Sequence, residues 1–130
     1  MDSETATGRQ MHIGEVAART GLSLRTIRHY DEIGLLPPSG RTDGGVRLYS
    51  DDDVARLLLV RTLKPLGFSL ETTGELLGLL DDLDSAAAAE SKGPIRARLE
   101  EFIAEAVQRR ETLARQLELA DELIAILRSR

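Results

Sequence analysis

At 130 residues, 42% hydrophobic but only 3% aromatic, the chain is one domain or a compact head with an appendage, and its core must be aliphatic. No window approaches ~18 uninterrupted apolar residues, and the polar start Met1 to Gln10 lacks an apolar signal core, so a membrane partner is excluded and a cytoplasmic location is expected. Zero cysteines exclude a disulfide frame and a thiolate metal site, and a net charge of −5 speaks against a nonspecific nucleic-acid coat.

Residues 1–10 read as a disordered tail. Ile13 to Thr20 and Ser23 to Ile33 have the pattern of two helices joined by a tight turn, with Gly21 at a left-handed position and Ser23 as N-cap. Ile13, Val16, Ala17, Leu22, Leu24 and Ile27 are expected inside the corner. Arg25, Thr26, Arg28, His29 and Tyr30 cluster near the start of the second helix, on faces left free for a partner. Two Arg, a Thr and a Tyr on one exposed helix suit a major-groove reader; the plainer alternative is a helical hairpin with a solvated charged face.

Gly34 suits a helix stop, and Leu35-Leu36-Pro37-Pro38 an extended exit, because each Pro biases its predecessor away from helix. Arg41 to Tyr49 then reads as a small hairpin. Asp43-Gly44-Gly45 supplies the positive-φ turn, while Val46 and Leu48 alternate with Arg47 and Tyr49. Such a hairpin is not stable alone, so it must pack on the helices as a wing. The fold class is mainly α: a winged helix-turn-helix head.

Ser50 caps a third helix that opens on Asp51-Asp52-Asp53. Consecutive carboxylates on a helix point apart, so the triplet reads as capping chemistry rather than a metal site. Val54, Leu57, Leu58, Val60 and Leu63 continue this helix to a break at Lys64-Pro65-Leu66-Gly67, and Ser69 caps a fourth helix over Leu70 to Leu80. The head spans 11–80. Residues 81–93 form a connector, either loop or marginal helix.

From Pro94, a good first helical residue, one segment runs through 128. Leu99, Ile103, Ala106, Leu113, Leu117, Ala120, Ile124 and Leu127 step by threes and fours, interrupted only by Arg110. At ~1.5 Å per residue this is a rod of roughly 50 Å. A rod with one apolar stripe cannot bury it all against a small head, so a second rod in a homodimer is expected, with a fold-back onto the head as the alternative.

Charge is uneven along the chain. Arg19 to Tyr49 holds five basic residues against three acidic ones, and Val54 to Lys64 three against none. A locally basic face on an acidic chain fits a sequence-specific DNA binder that does not rely on bulk attraction.

Four motifs in order, Ile13-Gly14-Glu15-Val16-Ala17, Thr26-Ile27-Arg28-x-Tyr30-Asp31-x-x-Gly34-Leu35-Leu36, Gly45-Val46-Arg47-x-Tyr49 and Leu66-Gly67-Phe68-Ser69-Leu70, resemble the MerR family of bacterial transcription regulators. The resemblance covers about residues 11–80, and Glu75-Leu76-Leu77 looks most like the copper-sensing branch. It implies a homodimer joined by an antiparallel coiled coil through the 94–128 helix. Each head would dock on double-stranded promoter DNA, at a palindrome in an overlong spacer, and distort it for RNA polymerase. Carried over by position, Arg25, Arg28 and Tyr30 match recognition-helix contacts, Arg41, Arg47 and Tyr49 the first wing, and Arg61 and Lys64 the second.

Two departures stand out: His29 where the family usually has Tyr or Phe, and Val46 where a phosphate-binding Tyr is common. A third is the sensor. The metal branches of the family use Cys, and this chain has none, so a soft metal is not expected and no cofactor is implied. An effector, if one exists, is expected at an apolar junction of Leu76, Leu77 and Leu80 with Ile95, Leu99 and Phe102. No nucleophile with a base and no Gly-rich phosphate loop points to an enzyme. The alternative function is a DNA-architectural or excisionase-like protein that senses nothing.

Overall fold

The structure, a computed structural model, describes residues 9–85 and 89–130; the expected disordered tail lies outside these but for its last two residues. Five helices and one two-stranded antiparallel sheet follow in order among the described residues: α1 (Ile13–Thr20), α2 (Leu24–Glu32), β1 (Gly40–Arg41), β2 (Arg47–Leu48), α3 (Asp51–Leu63), α4 (Leu70–Ser85) and α5 (Ala89–Arg128). None of the helices is long and apolar enough to cross a membrane. The chain divides into two compact units, Met1–Gly74 and Glu75–Arg130.

In the first unit local chemistry sets the helix ends. α1 stops at Gly21, whose φ of 75° is the left-handed conformation that lets its N–H bond back to the Ala17 carbonyl at 2.9 Å. Ser23 then accepts the Thr26 N–H at 3.0 Å and starts α2. Ser50 and Asp53 form a reciprocal capping box at the head of α3, so the acidic triplet is a helix start. α1 packs on both α2 and α3. The core between them is aliphatic, with Val16, Ile27 and Leu57 almost fully buried. Leu24, expected inside the corner, is exposed, because α2 buries Ile27 and Tyr30 one and two turns further in.

The sheet is shorter than the alternation over Arg41 to Tyr49 suggested. Its register pairs Gly40 with Leu48 and Arg41 with Arg47. Of the two turn glycines only Gly45 takes positive φ, at 84°. Tyr49 leaves the hairpin to exchange two 2.8 Å backbone hydrogen bonds with Met11. That bridge fastens the wing to the segment preceding α1.

Two helix bounds differ from expectation. α4 continues past Leu80 to Ser85, since Leu83 keeps the spacing of the face that carries Leu76 and Leu80, and no Gly or Pro lies between Leu80 and Ser85. α5 begins at Ala89, so residues 89–93 of the connector take the helical one of its two expected readings, Ala, Glu and Lys favouring helix there despite Gly93. Pro94 lies inside and forfeits one ladder hydrogen bond. In the second unit Leu77 and Phe102 are buried, while Leu76, Leu80, Ile95 and Leu99 are half-buried. Arg98 grips both carboxylate oxygens of Glu75, at 2.8 and 3.1 Å, and lies 4.4 Å from the Phe102 ring centroid. Those hydrogen bonds hold the Glu75 carboxyl below its ordinary range.

Candidate nucleic-acid interface

Four residues of α2, spaced i, i+3, i+4 and i+7, make one exposed stripe: Arg25, Arg28, His29 and Glu32. The opposite side of the helix is held in the core by Ile27 and Tyr30. Helical periodicity therefore separates the five residues expected on this surface. Arg25, Arg28 and His29 stand on it. Thr26 is half-buried, its hydroxyl taken by the Ser23 hydroxyl at 2.9 Å. Tyr30, expected on the free side, is only 6% exposed and belongs largely to the core.

A groove of about 870 Å³ runs beside this stripe. Arg25, Arg28, His29 and Glu32 bound one side of it, Thr26 and Tyr30 still reach its wall despite their burial, and Val60, Lys64, Phe68, Leu70 and Thr73 line the rest. Lys64, expected on a second wing, is thus brought to the same groove as the stripe of α2. Gly67, with φ of 88°, turns the chain after the break, and Phe68 is buried beneath it.

Arg61 is placed differently from expectation. Its Nη1 donates to the Thr20 carbonyl oxygen at 2.7 Å, so the guanidinium caps the C-terminal end of α1. That carbonyl lies at a helix end where it lacks an intrahelical partner, which explains why a cation is drawn there.

The first wing is built around a carboxylate that sequence reading passed over. Asp31 Oδ2 accepts from Arg41 Nη2 and from Arg47 Nε, both at 2.7 Å. Burial pushes the Asp31 carboxyl up, but the hydrogen bonds from Arg47 and Arg41 and their charges outweigh it and hold it below the usual carboxylate range. Asp31 correspondingly raises Arg47. A signal was available. A turn centred on Gly44 puts Arg41 opposite Arg47, and two facing cations need a counter-charge.

Tyr49 corrects the expectation most sharply. It is 1% exposed, and its hydroxyl meets no hydrogen-bond partner among the described residues. The ring supports the wing from inside instead of standing on its surface, and burial pushes the phenol up. Ser39, just before the hairpin, is held to Asp53 by its backbone N–H at 3.1 Å, which ties the wing to α3 as well.

Comparison with known proteins decides what this arrangement belongs to. Residues 11–79 match the family described as MerR HTH family regulatory protein, and residues 54–129 the one described as MerR, DNA binding. The chain belongs to the MerR family. This MerR-family chain is 44% identical to the HTH-type transcriptional regulator YfmP of Bacillus subtilis over 131 residues, covering 92% of this chain and 84% of that protein. A crystal structure of HiNmlR, described as a MerR family regulator lacking the sensor domain and bound to promoter DNA, superposes with a TM-score of 0.71 at 27% identity, over 93% of this chain and 92% of that one. A MerR family regulator from Bacillus cereus gives 0.62 at 29% identity, over 90% of this chain and 76% of the other. The MerR-family protein is a DNA-binding transcription regulator of winged helix-turn-helix fold, not an enzyme.

On α5 the expected dimerisation residues share one face. Leu99 and Ala106 are half-buried, whereas Ile103, Leu113, Leu117, Ala120, Ile124 and Leu127 are exposed on the single chain. Every residue from 111 to 130 is exposed, Leu117 to 64%.

Proposed function

We propose that this regulator works as a homodimer on promoter DNA, with α2 reading the major groove and the wings resting on the flanking phosphates. The observation that carries the reading is the Arg25, Arg28 and His29 stripe sharing one groove with Lys64. Arg28 and Arg25 are suited to guanine edges or phosphates, and His29 to a phosphate or base acceptor. Arg41 and Arg47 serve as the phosphate-facing cations of the first wing. Tyr49, Tyr30 and Arg61 hold the framework beneath them.

The dimer forms through α5. A helix with this much exposed leucine and isoleucine on one stripe is stable in water only when a second helix covers it. Residues 11–80 are the reading head and 94–128 an antiparallel coiled coil, with the last turn of α4 and the first turn of α5 lying between them. Two heads on a two-fold axis imply a palindromic operator. Its place in an overlong promoter spacer, with bending that realigns the promoter elements for RNA polymerase, completes the proposal.

Genomic footprinting tests this. One compact palindrome within a promoter spacer supports it, and several tandem sites would favour an architectural, excisionase-like role. Arg28→Ala should cost roughly 1–3 kcal/mol of operator binding while the dimer stays intact. Unchanged affinity would remove Arg28 from the interface.

A further inference from the structure

We propose that Asp31 is the positioning residue of the first wing: it orients Arg41 and Arg47 for phosphate and withholds one positive charge from nonspecific DNA. This rests on the DNA-reading function proposed above. The two arginines face each other across the β1–β2 pair, where like charges repel. One Asp31 oxygen takes a 2.7 Å hydrogen bond from each, and the carboxylate is only 10% exposed.

Three consequences follow from that placement. The wing arginines are held in one geometry before DNA arrives, so ordering them costs less on binding. Asp31 sits on α2 itself, three residues after Arg28, so the same bonds set the offset between the reading stripe and the wing. Phosphate contacts establish register, and a fixed offset converts them from adhesion into alignment. Finally, the cluster of Asp31, Arg41 and Arg47 carries a net charge of about +1 in place of +2, which lowers affinity for any duplex. Among the described residues the two guanidiniums make no other hydrogen bond, so their remaining N–H groups are free for phosphate oxygens.

The full chain and its Asp31→Asn and Asp31→Glu variants would be titrated with two duplexes over a salt series. One duplex is selected by the wild type from a random library; the other is the same length and scrambled. Asp31→Asn should bind the scrambled duplex more tightly, with a salt slope steeper by about 0.9, and lose about tenfold in preference for the selected one. Asp31→Glu should keep the wild-type slope. In the absence of DNA, the Arg47 Nε–H should be protected from solvent exchange in the wild type and exposed in Asp31→Asn.

A folded Asp31→Asn with unchanged slope and preference overturns the proposal. Parallel loss on both duplexes with unchanged slope and a lower melting temperature overturns it too, leaving Asp31 merely structural. If the wild type enriches no sequence, the DNA-reading function fails instead. The slope on the scrambled duplex and the Arg47 exchange then still decide the role of Asp31.

Discussion

Arg61 on α3 reaches the carbonyl oxygen of Thr20, the last residue of α1, across 41 positions of sequence at 2.7 Å. The contact lies at the turn that sets the angle between α1 and α2, next to Gly21, where an added Cβ would sit 3.6 Å from the guanidinium. One side chain of a neighbouring helix thus braces the corner from which the reading helix departs.

Arg61→Ala should therefore lower stability by about 1–2 kcal/mol, the worth of a part-buried hydrogen bond from a charged donor whose side chain is otherwise exposed. Denaturant unfolding measures it. Any loss of DNA affinity should appear without a change in salt slope, since this guanidinium braces protein and does not neutralise a phosphate. A slope shallower by about one would place Arg61 on the DNA after all.

Tyr49→Phe tests the correction made in the wing. Removing a buried hydroxyl without a partner should leave stability unchanged or raise it by up to about 1 kcal/mol, and DNA affinity should not move. A drop in affinity with a normal melt would mean the hydroxyl reaches a phosphate when the complex forms.

The Asp31 cluster makes an acid-side prediction. The folded carboxyl titrates below its ordinary 3.8. A group depressed in the folded state stabilises it fully above the unfolded value, and that contribution fades as pH falls through the folded one. Stability should decline from about pH 5 downward. Asp31→Asn should flatten this part of the profile in denaturant midpoints taken across pH. A variant profile parallel to the wild type would show that Asp31 has no share in it.

Leu117→Glu or Leu113→Glu puts a charge into the stripe proposed to be covered in the dimer. Sedimentation should show monomers that bind DNA poorly and whose heads still melt cooperatively. A wild type that sediments as a monomer at micromolar concentration would end the dimer reading, and with it the palindrome.

The sequence by itself determined what depends on near neighbours. Caps at Ser23, Ser50 and Ser69 close hydrogen bonds over three residues, and Gly21 and Gly45 turn the chain where left-handed backbone is needed. The apolar steps of α3 and α5 repeat every third or fourth residue, so their buried and exposed faces are written locally. Tertiary structure alone decided the fate of side chains with two possible homes. Tyr30 and Tyr49 each have an apolar body and a polar tip, and only the depth of the packed core settles which end prevails. Arg61 found a helix-end carbonyl, and Asp31 found the wing arginines 10 and 16 residues away. The facing of Arg41 and Arg47 called for a counter-charge, but which carboxylate supplies it, like the partner of Arg61, is set where distant segments are brought together by burying Val16, Ile27 and Leu57.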